Sequence, residues 1–334
     1  MSVTIRDVAR EAQVSVATVS RALNNQNNVA AAVRQRVRAV AERLRYTPHH
    51  AARSLSSRRT QTVGVVLPDL YGEFFSELMF GIDKVAREHG LHLLVSSYHG
   101  DPIEQGAALR SMRGRVDGLL VMSPYADDDA HLADALAGSV DSVLINARPA
   151  SGGSRSIGID NHAGARAMVA HLVANGCRTL AFIAGPEDNF DASERLRGYR
   201  DALAEWLPQA QAWVLPGDFS EASGQHAARI LLAAPQRPDA VFAANDMMAL
   251  GCLFALLQAG LAVPGDIAVA GFDDIPLARY VRPALTTMRV DIAELGADAM
   301  RLLLTPGDAT SAAPARLPEL ILRESSARIA PDSS

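Results

Sequence analysis

Thr4-Ile5-Arg6-Asp7-Val8-Ala9-Arg10-Glu11-Ala12-Gln13-Val14-Ser15-Val16-Ala17-Thr18-Val19-Ser20-Arg21-Ala22-Leu23 holds two short helical patterns with a break between them. Ile5, Val8, Ala9 and Ala12 recur at helical spacing and give the first segment one apolar face. Gln13-Val14 interrupts that pattern. Ser15 stands where an N-cap belongs, and Val16 to Leu23 form a second helix. Two short helices joined by a tight turn are the frame that seats a second helix in a DNA major groove. A third helix is predicted from about Ala32 to Leu44, with Val33, Val37, Val40, Ala41 and Leu44 as its buried stripe.

Charge separates this head from the remainder of the chain. Residues 1–60 hold eleven Arg and no Lys against Asp7, Glu11 and Glu42, a net charge of +8. The other residues include 21 basic and 34 acidic ones, a net charge of −13. A basic head on an acidic body is the electrostatic footprint of a nucleic-acid module fused to another function. A length of 334 residues suggests two or three domains. With 49% hydrophobic and 21% charged residues, the composition excludes a disordered or fibrous chain.

The string from Thr4 to Asn24, and within it Val14-Ser15 followed by Thr18-Val19-Ser20-Arg21, resembles the helix-turn-helix of the LacI/GalR family of bacterial transcription regulators. That resemblance implies base readout by Arg21, since an arginine can bond the O6 and N7 of guanine together. It implies operator preference set by Val16 and Ala17, whose apolar side chains suit thymine methyl groups. Ser15, Thr18, Ser20 and Asn24 carry hydroxyls or an amide suited to phosphates, as does the guanidinium of Arg34. Thr18 and Ser20 are equally consistent with ordinary helix surface. Two positions depart from the family pattern. Gln13 stands where the family has glycine. Val29-Ala30-Ala31-Ala32-Val33-Arg34 replaces V-S-x-x-T-R, which removes a Ser N-cap worth about 1 kcal/mol.

Tyr46-Thr47-Pro48-His49-His50-Ala51-Ala52-Arg53-Ser54-Leu55 resembles the family's hinge. Pro48 favours a helix start just beyond it, but the segment is too short to be stable alone. The resemblance places Ala52 and Leu55 in the minor groove, with Leu55 as an apolar wedge of the kind that unstacks and bends DNA. The expected boundaries are 1–48 for the DNA-binding domain, 49–61 for hinge and linker, and 62–323 for the body.

From Val63 onward, apolar runs alternate with amphipathic segments. Strands are expected at Val63–Leu67, Leu91–Ser96, Gly118–Met122, Thr179–Ile183, Val241–Ala244 and Ile267–Phe272, with a helix from Phe75 to His89. Such alternation means α/β subdomains with parallel sheets covered on both faces. The series restarts after Asp160, so two similar doubly wound subdomains with a cleft between them are expected. Their bounds are about 62–160 with 291–323, and 161–290. The body resembles the periplasmic-binding-protein-like sensor of the same family.

Ligands of open parallel sheets sit beyond the carboxyl ends of the strands. Asp160, Asn189, Asn245 and Asp273 come after predicted strands, and Arg195 is expected to begin the helix after one. The family resemblance assigns effector contacts to Arg195, Asn245 and Asp273. Tyr71, Phe74, Phe75 and Phe219 offer aromatic faces, with core packing an equal alternative for Phe75 and Phe219. Arg148 fits either the cleft or the surface. Asn189 and Asp191 stand where the purine-responsive branch has arginine and threonine, which favours a sugar over a purine.

Other function classes lack support. The chain has no G-x-S-x-G, H-E-x-x-H or Walker A string, so no catalytic site is expected, and no cofactor or metal. Cys177 and Cys252 are isolated, with Cys252 expected as a packed small hydrophobe. Arg6, Asp7, Arg10 and Glu11 break any leader-like apolar run, which argues against a transported solute-binding protein and for a cytoplasmic one. No apolar run is long enough to span a bilayer, so no membrane partner is expected. The tail after Leu322 has no leucine heptads, so the expected partners are operator DNA, a small effector and a second copy in a homodimer.

Overall fold

The computed structural model describes residues 3–23, 29–46, 59–125, 132, 136, 140–147, 155–306 and 314–327. The chain divides into two compact units, Met1–Gln61 and Thr62–Ser334. Asn24, most of the hinge including Ala52 and Leu55, and Arg148 lie outside the described residues.

The first unit contains α1 (Ile5–Glu11), α2 (Val16–Leu23) and α3 (Ala31–Arg43). Thr4 starts α1 by donating both its N–H (3.0 Å) and its hydroxyl (2.8 Å) to Asp7 Oδ2. The Thr4 hydroxyl, with help from the N–H, holds the Asp7 carboxyl below its ordinary value. The turn after α1 passes through Gln13 at φ 52°. That left-handed conformation costs a side-chain-bearing residue roughly 1–2 kcal/mol, which is why glycine suits the position. Ser15 caps α2 as its sequence position requires, its Oγ accepting the Thr18 N–H at 3.1 Å. Val8, Ala9, Ala12, Val19, Ala22, Val37, Val40 and Ala41 close a small core, with Val33 and Leu44 packed at its margin. Arg43 ties α3 back to Glu11 of α1 at 2.8 Å. The N-cap of α3 is Ala30, which supplies no side-chain bond.

The second unit is built on two parallel sheets. The first takes the order β2-β1-β3-β4-β5 from β1 (Thr62–Leu67), β2 (His92–Ser97), β3 (Gly118–Met122), β4 (Ser142–Ile145) and β5 (Ser156–Ile157). Its faces alternate with period two. Val63, Val65, Leu67, Leu120 and Met122 point into the main core, while Val66, Leu119 and Val121 point into a second cluster with Leu109 and Met112. Helices α4 (Glu73–Glu88) and α5 (Pro102–Met112) connect these strands.

After α6 (Asn161–Ala174), the second sheet takes the order β7-β6-β8-β9 from β6 (Leu180–Ile183), β7 (Trp213–Leu215), β8 (Ala240–Ala243) and β9 (Ala268–Ala270). Its connecting helices are α7 (Phe190–Trp206), α8 (Glu221–Ala233) and α9 (Asp246–Gln258). β6 and β8 are buried throughout, the pattern of parallel strands covered on both faces. Cys252 packs inside α9, and burial pushes its thiol up to about 12.

Antiparallel β10 (Thr287–Arg289) and β11 (Glu319–Ile321) flank α10 (Ile292–Leu304), which returns to pack on α4 of the first sheet. That packing is close. A Cβ on Gly81 of α4 would lie 1.7 Å from the Ala293 carbonyl oxygen, and one on Gly296 of α10 would lie 2.3 Å from that of Leu78. Among the described residues no helix is long and apolar enough to cross a membrane.

Stability responds to both the weak cap and the close packing. Ala30→Ser supplies the missing cap of α3 and should raise unfolding stability by about 1 kcal/mol in chemical denaturation of the full chain. An unchanged midpoint would show that the helix start is satisfied in some other way. Gly81→Ala forces α4 and α10 apart and should lower stability by about 1–3 kcal/mol.

Candidate functional site

A cavity of about 430 Å³ opens where the carboxyl ends of the two parallel sheets meet. It is walled by the segments after β1, β2 and β3 on one side and after β6, β7, β8 and β9 on the other. This is the crevice where open α/β sheets bind ligands.

Arg195 lines it and is 3% exposed. α7 begins at Phe190 rather than at the arginine, because Asn189 caps it, so Arg195 sits in the second turn and points inward. Its Nε donates to Asn161 Oδ1 at 2.8 Å, and Nη1 donates to the Ala244 carbonyl at 2.5 Å. The guanidinium stacks 3.9 Å above the centre of the Phe272 ring. Nη1 also forms an ion pair with Asp273 Oδ1 at 3.2 Å, outside good hydrogen-bond alignment.

Asp191 completes the cluster, accepting from Asn161 Nδ2 at 2.7 Å and from Asn146 Nδ2 at 3.1 Å. Burial pushes the carboxyls of Asp191 and Asp273 each up to about 6, against the opposing pull of Arg195. Two acids around one guanidinium leave the centre with a surplus of negative charge.

Asp273 and Asp274 turn their backs on each other. Both adopt left-handed conformations, φ 114° and 57°. Asp273 faces the cavity. Asp274 is buried on the other side, where Arg289 of β10 (2.8 Å) and Arg323 (2.5 Å) both reach it. Asp246, buried beside them, accepts from Thr287 Oγ1 (2.6 Å) and from the Ile275 N–H (3.0 Å). Burial, with Asp273 nearby, raises its carboxyl well above the ordinary range, and its role is to brace the β9–β10 connection.

Tyr71, Phe74, Phe75, Asn189, Arg195, Phe219, Asn245 and Asp273 all line the cavity. Tyr71 stands at its mouth, 68% exposed, and Phe74 meets Phe75 edge to face at 5.5 Å. Asn189 and Asn245 are also helix caps, accepting the N–H groups of Ala192 and Met248. Asn245 Nδ2 further holds the Phe219 carbonyl at 3.0 Å, fixing a loop in which Phe219 takes φ 71°.

Asp160 is placed elsewhere. It caps α6 by accepting the Ala163 N–H at 2.9 Å and does not line the cavity. The polar residue ending that strand serves the next helix instead. Asp69, His99, Tyr125, Asp188, Asp191 and Asp218 line the cavity beyond those expected. Asn146 and Asn161 support Asp191 from behind. For Asn146 the legible signal is the apolar run Ser142–Ile145 ending in a polar side chain.

In the first unit, α2 turns Val19 and Ala22 inward and presents Val16 (42% exposed), Ala17 and Arg21 to solvent. Ser15 Oγ and Thr18 Oγ1 lie 2.8 Å apart at its start, and Arg34 donates to the Val29 carbonyl at 3.3 Å. An exposed valine and alanine beside an exposed arginine suit a surface that reads base edges and methyl groups.

Residues 4–49 match the family described as bacterial regulatory proteins, lacI family, and residues 169–326 match the periplasmic binding protein-like domain. The chain is 36% identical over 306 residues to catabolite control protein A of Priestia megaterium, covering 91% of this chain and 92% of that one. It is 37% identical over 307 residues to the regulator GalR of Escherichia coli K12, covering 91% and 89%. The lac repressor dimer bound to operator and the anti-inducer ONPF superposes with a TM-score of 0.87 at 31% identity, over 98% of this chain and 99% of that one. These relatives are regulators of transcription, not enzymes. The chain belongs to the LacI/GalR family of DNA-binding transcription regulators.

Proposed function

We propose that the chain is a cytoplasmic repressor that binds a near-palindromic operator as a homodimer and answers to a small sugar-like effector. The observation that carries the effector reading is Arg195, Asn245 and Asp273 converging on one cavity whose walls are aromatic. Converging donors and acceptors suit a molecule with several hydroxyls, because a wrong ligand would leave buried polar groups unpaired. The names of similar proteins support it. They include GalR, the ribose operon repressor, and the regulator CelR solved with cellobiose at a TM-score of 0.70.

In this reading residues 49–61 are the hinge, with Leu55 as the minor-groove wedge. Among the hydrogen bonds that already join the subdomains are the Phe190 N–H to the Pro124 carbonyl at 2.8 Å, Asn146 to Asp191, and the Leu277 N–H to Glu73 Oε2 at 3.0 Å. A ligand seated beside them would bias the relation of the two sheets, and through it the hinge.

A purine is the second reading. It is favoured by the aromatic walls and by 35% identity over 305 residues to a purine repressor, PurR of Photobacterium profundum. Thermal shift of the full chain against sugars, sugar phosphates and nucleobases separates the two, since a ligand of the folded state raises its stability. Stabilisation by sugars is expected. Stabilisation by purines alone would reverse the assignment.

Arg21→Ala should flatten discrimination between operator and scrambled DNA, at a cost of about 1–3 kcal/mol. Equal discrimination in the variant would remove Arg21 from base readout. Asp273→Asn should abolish or sharply weaken the stabilisation given by an effector while leaving operator binding of the ligand-free protein in place. An undiminished shift would place the ligand elsewhere.

A further inference from the structure

Among the described residues, five carboxylates, those of Asp69, Asp188, Asp191, Asp218 and Asp273, line the cavity against the one guanidinium of Arg195. Among the described residues no lysine lines it, and the remaining titratable base is His99. We infer that the effector is an amine-bearing sugar, a polyhydroxylated ring with a protonated amino group, and that its phosphorylated and carboxylated counterparts are rejected. The inference rests on the cavity being the effector site.

The charge of Arg195 is already enclosed. Asp273 and Asp191 flank it, and the Ala244 carbonyl and Asn161 take its N–H groups. It therefore offers an incoming anion little uncompensated positive charge. The helix ends facing the cavity are committed too. Asn189, Ser220 and Asn245 cap α7, α8 and α9 with side-chain oxygens, and α4 carries Glu73 in its first turn.

A second observation points to a donor on the ligand. Asp273 is 5% exposed and lines the cavity, and its Oδ1 is met by the Arg195 Nη1 ion pair at 3.2 Å without a well-aligned hydrogen bond. A buried carboxylate oxygen held by one ion pair alone keeps acceptor capacity, so a ligand N–H or O–H seated there is favoured over any acceptor. At the mouth, Asp188 is exposed, and Asp218 is kept ionised. Partial burial would raise Asp218, but the Ser220 hydroxyl and N–H outweigh that and hold it below its ordinary value. A concave, acid-lined wall concentrates cations and repels anions over the whole approach. The Tyr71 ring beside this mouth adds a face of the kind that attracts an ammonium group.

The test is calorimetric titration and thermal shift of the full chain with matched trios: glucose, glucosamine and glucose 6-phosphate, then the galactose equivalents. The amino member should bind about tenfold tighter than its neutral parent, the phosphate should not bind detectably, and added salt should narrow the difference. Asp188→Asn should cut the ratio of amine to parent-sugar affinity severalfold, and Asp188→Glu should restore that ratio. Equal affinity for parent and amine, or tighter binding of a phosphate, overturns the charge assignment while the sugar-sensing reading stands. Binding of adenine or guanine with no response to any sugar overturns both.

Discussion

A guanidinium buried to within 3% of complete enclosure dictates the arrangement of the second unit's centre. An arginine cannot shed its proton, so its charge has to be met inside the protein. The chain meets it with elements far apart in sequence: Asn161 from the start of α6, the Ala244 carbonyl from the end of β8, the Phe272 ring and Asp273 from the end of β9. Each partner must be delivered by its own strand or helix, so the cavity exists only when the second sheet is fully assembled. Asp191 then overcompensates the cation, and its other oxygen reaches Asn146 at the end of the first sheet's β4. One ionic cluster thus sets both the floor of the cavity and a tether between the sheets.

Backbone strain collects at the same place. Asp273, Asp274 and Phe219 hold left-handed conformations that cost roughly 1–3 kcal/mol each and persist only where surroundings enforce them. The surroundings are visible: the Asp273 N–H donates to the Met288 carbonyl at 2.8 Å, Asp274 binds Arg289 and Arg323, and Asn245 grips Phe219. The strain gives orientation, turning Asp273 toward the cavity and Asp274 toward the strands that cross between the sheets.

Long apolar runs make much of this architecture legible. Val63–Leu67, Gly118–Met122 and the runs around Phe182 and Val241 announce parallel strands because strands covered on both faces have no polar side. The short strands are not legible. Trp213–Leu215 spans three residues, Thr287–Arg289 carries polar side chains, and both are specified by their neighbours rather than by a local pattern. Arg195, Asn245 and Asp273 are readable through family resemblance. Asp191 stands out in the sequence only for what it replaces, since nothing local says that Asn146, 45 positions earlier, will donate to it. Asp160 misleads because a polar residue ending a strand serves a ligand or the next helix equally well, and here it is a cap. In the first unit Ser15 is recognisable as a cap, because capping depends only on adjacent residues.

The back-to-back pair at the end of β9 limits how this sensor can be re-targeted. Residues at the mouth such as Asp188 can be exchanged with little effect on the scaffold, so new ligand preferences are accessible there by single steps. Asp273 has no such freedom. Its peptide unit is continuous with the one that anchors Arg289 and Arg323, and a substitution that relaxes one dihedral re-aims the other carboxylate. Positions 273 and 274 therefore form one unit of design: an asparagine can hold the left-handed backbone at 273, but any residue that cannot requires the crossing strands to be rebuilt with it.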